Sequence, residues 1–165
     1  MPNTAMNKHA VLQLILEKLT VDLDIVQRAA QTAYETATHE ENIAENKYDT
    51  LGLEASYLAT GQARRVKEIK QSLVLCQQLQ LRAYDDQRGI EIGTLVGLED
   101  EDGRQQWLFL APDAAGLKVD VGGQPGTGIT PRSPLGKGLL GKRIDEEVEI
   151  LVAGARQNFT VTEAR

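Results

Sequence analysis

The sequence is poor in cysteine and in aromatic residues, and its first half is poor in glycine and proline. A single cysteine, Cys76, among 165 residues cannot close an internal disulfide, and no CxxC or His/Cys spacing marks a zinc site. One Trp, four Tyr and two Phe make 4% of the chain. A compact core of this length ordinarily holds more, so part of the chain builds no conventional core. Thirteen of the fifteen glycines and four of the five prolines follow Tyr84, near the midpoint. No apolar run approaches a membrane span, and Met1 to His9 lacks the apolar stretch of a signal peptide, which points to a cytoplasmic protein without membrane contact. There is no basic excess either. A net charge of −6 argues against a protein whose main task is gripping phosphate backbones. The acidity is uneven: nine Lys/Arg against ten Asp/Glu over 1–82 give −1, and nine against fourteen over 83–165 give −5.

Between Met6 and about Arg82, Ala, Leu, Glu, Gln and Lys dominate, a composition that favours helix. Apolar residues fall at Leu16, Leu19, Leu23, Val26, Ala30 and Ala33, with steps of 3, 4, 3, 4 and 3, and again at Val66, Ile69, Leu73 and Cys76. Folded back antiparallel, Leu23 with Cys76, Val26 with Leu73, Ala30 with Ile69 and Ala33 with Val66 each sum to 99. Leu19 would face Gln80, so the register changes there, beside Leu79 and Leu81. The pairing places the bend near Asp49 and Thr50, with Gly52 beside it supplying backbone freedom. The interior narrows to Ala30, Ala33, Ala55, Ala59 and Ala63. The expectation is an antiparallel coiled-coil hairpin over 1–83, a slim two-helix arm roughly 50 Å long at 1.5 Å per residue. Seams that pair internally leave little apolar surface for dimerisation, so a monomer is expected. Cys76 reads as a small seam residue.

Chemistry-bearing residues gather around the bend. Residues 38–54 hold five carboxylates against one lysine. Glu41, Glu45 and Asp49 follow one another at intervals of four and share a helix face. A cation relieves their mutual repulsion, and carboxylate oxygens suit Mg²⁺, held weakly by so few ligands unless a partner adds more. A solvated acidic end is the plainer reading. Arg64, Arg65, Lys67 and Lys70 on the returning helix read as surface charges or as a small basic stripe for nucleic acid.

The second half, 84–165, reads as a small β domain. Glu91–Glu99 is a predicted strand, and Asp102-Gly103 turns into Gln105–Leu110. Leu117–Val121 alternates as a half-buried strand. Pro125–Thr130 is a loop or short strand, and Val148–Val152 and Gln157–Glu163 form a hairpin about Ala153-Gly154-Ala155. Trp107, Phe109 and Phe159 are the candidate large core residues. Ser133 as N-cap, Pro134 at the first helical position and Gly141 at the C-terminal cap predict a helix of about two turns. Its glycines weaken it, which suggests a packing or docking reason for them.

The order of parts resembles the bacterial Gre transcript-cleavage and elongation factors. Ser133-Pro134, Leu139-Leu140-Gly141-Lys142, Asp145-Glu146 and Val148-Glu149-Ile150 are similar to that family's C-terminal signature, and Glu45-Asn46 with Tyr48 resembles its tip segment. The resemblance implies an α+β chain with a coiled-coil hairpin and an FKBP-like C-terminal domain. It implies that the protein is an accessory factor rather than an enzyme, with RNA polymerase as partner and RNA or DNA contacted through it. The β domain would dock through Arg132, Ser133, Pro134 and Leu135. The hairpin would enter the secondary channel, where Glu41, Glu45 and Asp49 help hold Mg²⁺ for cleavage of backtracked RNA. Two departures stand at the tip: Asn42 replaces an acid three residues before the Glu of Glu-Asn, and the Glu-Asn-Ala-Glu-Tyr segment is one residue shorter. Arg132 stands where some members carry an acid. The alternatives are a channel regulator that does not stimulate cleavage, favoured by Asn42, and a peptidyl-prolyl isomerase, which would need a more aromatic pocket than this domain supplies.

Overall fold

The computed structural model of the protein describes residues 6–43 and 50–165, the side chains of 40–56 apart. The chain is α+β. Two long helices, α1 (Lys8–Ile43) and α2 (Thr50–Gln78), precede β1 (Leu95–Asp100), β2 (Gln105–Leu110), β3 (Lys118–Val121), β4 (Gln124–Ile129), α3 (Pro134–Leu139), β5 (Glu147–Val152) and β6 (Ala155–Ala164). Composition places a boundary at 83/84, whereas close contacts group Lys18–Val74 as one unit and the remaining residues, including those up to Glu17, as the other.

Within Lys18–Val74, burial follows the heptad positions. Leu19, Ala33 and Ile69 are buried and Leu23, Val26, Ala30, Val66 and Leu73 are half-buried, while Val21, Ile25 and Tyr34 lie outside the stripe and are exposed. A narrow stripe of this kind is what a two-helix interior can bury. A shallow groove of about 300 Å³ is lined by Gln27, Ala30, Gln31 and Tyr34 of α1 and by Ala59, Ala63 and Val66 of α2. Gly52, expected beside the bend, lies inside α2 near its start. No helix among the described residues is long and apolar enough to cross a membrane.

The other unit is built on one six-stranded sheet of order β3-β4-β2-β1-β6-β5. Only β2 and β4 pair in parallel; the other neighbours are antiparallel. Strand alternation divides the core between two faces. On one, Val96, Leu98, Leu108, Leu110, Phe159 and Val161 pack with Leu139 of α3. On the other lie Leu95 and Phe109, both fully buried. The first turns of α1 cover part of that second face. A Cβ at Gly126 would point at Met6 Cε, 3.6 Å away, and one at Gly128 at Ile15 Cδ1, 3.7 Å away. Met6, Val11 and Ile15 are buried almost completely, each contributing roughly 1.5–3 kcal/mol of apolar burial.

Several local expectations are corrected. Of the two readings of Pro125–Thr130, loop or short strand, the strand holds: Gln124–Ile129 form β4, whose glycines keep that face flat beneath α1. The first strand starts at Leu95, because Glu91–Thr94 closes a turn in which the Glu91 N–H donates to Thr94 Oγ1 at 3.0 Å. Trp107 is only half-buried, with the Arg165 guanidinium 5.2 Å from its ring centre. The two hairpins form as their turn residues require: Gly103 has φ +80, and Ala153 and Gly154 have φ +52 and +81, the paired left-handed geometry of a tight two-residue connection. Leu79 and Leu81 both lie over Gly93, with side-chain carbons 3.6 and 3.4 Å from where a Cβ would stand.

Candidate functional site

The acidic tip lies largely outside the described residues: Glu45 and Asp49 fall there entirely, and Glu41 is known only as part of the α1 backbone. Among the described residues no group of three His, Cys, Asp or Glu is placed to hold a metal ion. Of the basic residues on α2, Arg64, Arg65, Lys67 and Lys70 are all exposed, and Arg65 is paired with Glu68 at 3.4 Å.

The segment around α3 is fully described. Ser133 caps the helix: its Oγ accepts from the Gly136 N–H at 3.0 Å and donates to the Thr130 carbonyl at 2.9 Å. Pro134 takes the first turn, and Gly141, at φ +79, follows the last helical residues. The glycines have packing reasons. A Cβ at Gly136 would stand 2.0 Å from the Thr130 oxygen, and one at Gly138 would stand 2.9 Å from Val148 Cγ1. Gly89, at φ +74, is pressed so close to Gly141 that a Cβ would meet its carbonyl oxygen at 2.5 Å. Hydrogen bonds of 2.8 Å from the Ile90 N–H to the Lys142 carbonyl and from the Gly141 N–H to the Ile90 carbonyl lock the exit of α3 in place.

The four expected docking residues therefore differ in what they offer. Ser133 is engaged in capping, and Leu135 is half-buried against the core of the α3 face. Pro134 is exposed. Arg132 is exposed but tied to Asp113, Nη2 to Oδ1 at 2.6 Å. Asp113 is nineteen positions away, and nothing in the sequence connects the two; the fold brings them together.

Titratable groups nearby are structural. The Arg82 guanidinium, which grips both oxygens of Glu91 at 2.5 Å, holds that carboxyl below its ordinary range. Burial lowers the pKa of Lys8, whose ammonium donates to the Arg82 carbonyl. Burial, with Asp113 next, raises the Cys76 thiol, which keeps it protonated and unreactive at neutral pH. Burial and then the hydrogen bond to Asp86 raise the Tyr84 phenol.

No family model matches the chain. Curated relatives do. The transcription elongation factor GreA of Syntrophus aciditrophicus is 26% identical over 100 residues, 60% of this chain and 58% of that protein. The GreA of Syntrophobacter fumaroxidans is 29% identical over 154 residues, 90% of this chain and 92% of the relative. The chain thus spans 58% of the first relative's length and nearly all of the second's. Among solved structures, the GreA factor homolog 1 (Gfh1) of Thermus thermophilus aligns over 91% of this chain and 94% of its own, at 22% identity and a TM-score of 0.38. By its curated relatives, the chain is similar to transcription elongation factors of the Gre family.

Proposed function

We propose that the protein binds RNA polymerase as a Gre-type elongation factor, passes its helices into the secondary channel and promotes cleavage of backtracked RNA. The observation that carries this reading is the alignment over 154 residues with a curated GreA. In this reading α1 and α2 form an antiparallel coiled-coil hairpin, and the sheet unit is the FKBP-like domain that docks at the channel rim. The burial stripe supports it: a seam of Leu, Val and Ala with few bulky residues keeps a two-helix element thin.

The donor set at the tip fits Mg²⁺ in kind, since Glu41, Glu45 and Asp49 offer only hard carboxylate oxygens. When bound, the ion neutralises charge on the scissile phosphate. The chain's own contribution is to carry the carboxylates on the end of a narrow support, so that they complete a site owned by the polymerase. The factor is then not an enzyme by itself. Asn42, in place of an acid, favours a second reading in which the protein occupies the channel without stimulating cleavage.

Backtracked elongation complexes, incubated with the protein or its Glu45→Ala form in saturating Mg²⁺, decide between the two. Shortened transcripts with wild type and not with the variant support cleavage. Polymerase binding with intact RNA establishes the second reading, and no binding overturns both.

A further inference from the structure

The loop between β2 and β3 is anchored at both ends and fastened in the middle by one residue. At the ends, the Ala111 N–H donates to the Ile129 carbonyl at 2.7 Å and the Gly116 N–H to the Gly128 carbonyl at 2.8 Å, both on β4. Between these anchors, every described hydrogen bond of residues 112–115 involves Asp113. Its Oδ1 accepts from the Ala114 N–H at 2.8 Å and from Arg132 Nη2 at 2.6 Å. Its backbone shares a hydrogen bond with the thiol of Cys76, near the end of α2. One residue thus ties together the end of α2, the middle of the loop and the entrance of α3.

The middle of the loop is also strained. Ala114 has φ +68, in the left-handed region, where a Cβ crowds the carbonyl that follows. The Asp113 carboxylate makes the described hydrogen bond that holds it there. Strain of this kind persists only where the surroundings impose it. Without the carboxylate's hold, Ala114 has a relaxed conformation to move to while both anchors stay made. The fastening is open to water on one side only: the Arg132 side chain is 73% exposed and that of Asp113 22%. A competitor from outside therefore reaches the guanidinium first. On the inner side, Cys76 is fully buried.

We propose that residues 112–115 form a strap over the end of α2, latched by the Arg132–Asp113 pair, and that breaking the pair lifts the strap and uncovers Cys76. The device couples the entrance of α3 to the end of α2, and it stands or falls independently of the polymerase-binding reading.

The test is the rate at which N-ethylmaleimide labels Cys76 in the full chain at constant pH, since a single cysteine makes the signal unambiguous. A buried thiol reacts only through opening, so the rate reads the open fraction. Arg132→Gln should label about threefold faster or more, and Asp113→Ala, which also frees the Ala114 N–H, about tenfold or more. Ala114→Gly, which accepts the left-handed φ without strain, should label more slowly than wild type. Sodium chloride at about 1 M should speed wild type and leave Arg132→Gln unchanged, because it screens the half-exposed pair. Equilibrium unfolding of each variant serves as the folding control, and the accelerations should exceed what any loss of global stability accounts for. Pair-breaking variants that label at the wild-type rate overturn the proposal. So do rates that follow global stability throughout, a wild-type rate indifferent to salt, or an Ala114→Gly form that labels faster than wild type.

Discussion

A Cβ added at Gly136 meets the Thr130 carbonyl oxygen at 2.0 Å, whereas one added at Gly126 meets nothing closer than 3.6 Å. The first contact is with backbone, which cannot swing aside, and the second is ordinary van der Waals distance. Gly136→Ala is therefore expected to cost upward of about 2 kcal/mol, and Gly126→Ala to stay within about 0.5–1 kcal/mol of wild type, as read by chemical denaturation. Equal effects at the two sites would show that the α3 segment relaxes freely. Glu91 makes a different residue-scale prediction. Its carboxyl is depressed below the unfolded value, chiefly by the hydrogen bonds from Arg82 and further by the charges of Arg82, Arg88 and Lys8. Its contribution to stability is thus present above the ordinary carboxylate range and is lost as pH falls through the depressed folded-state pKa. Glu91→Gln should lower the melting temperature at pH 7, and the gap to wild type should close as the solution is acidified below that range. A gap independent of pH would sink this account.

At the scale of elements, α3 was readable in advance because caps are local chemistry. Ser133, Pro134 and Gly141 lie within nine residues and need no tertiary partner to signal a start and a stop. Ser133→Ala should cost about 1 kcal/mol in equilibrium unfolding, and Ser133→Asp should recover part of it by restoring an acceptor. The hairpins at Gly103 and Gly154 were readable for the same reason. β4 was not. Its glycines break the alternation that marks a strand, and they are there because α1 lies against them, a fact about residues more than a hundred positions away. The docking residues fared likewise. Ser133 caps α3 and Leu135 packs against the core, so which of the four expected residues stay exposed follows from packing rather than from their place in the sequence.

For the molecule as a whole, the grouping of the chain start with the sheet carries a consequence. Met6, Val11 and Ile15 help bury the second sheet face, and Arg165 donates from its guanidinium to the Met6 carbonyl. Residues 75–165 alone would leave that face uncovered. Such a fragment should melt well below the full chain and bind a hydrophobic dye, and a peptide of residues 1–17 should raise its melting temperature in a concentration-dependent way. A fragment that melts with the full chain would remove α1 from the sheet's core. Within the sheet-packed part, Ile15→Ala should cost roughly 2–5 kcal/mol if Ile15 is the core residue its burial makes it.

The shortage of aromatics, glycine and proline in the first half, with its 3-4 spacing, by itself determined that long helices would bury a thin stripe, because helix periodicity is written in each residue and its near neighbours. The caps, turns and strand alternation of the second half were local in the same sense. Only the tertiary structure decided that the first turns of α1 belong to the sheet's core, that β4 is a strand, and that Arg132 is held by Asp113. Each of these joins residues far apart in sequence or depends on which side of an element is already covered, and neither can be read from spacing along the chain.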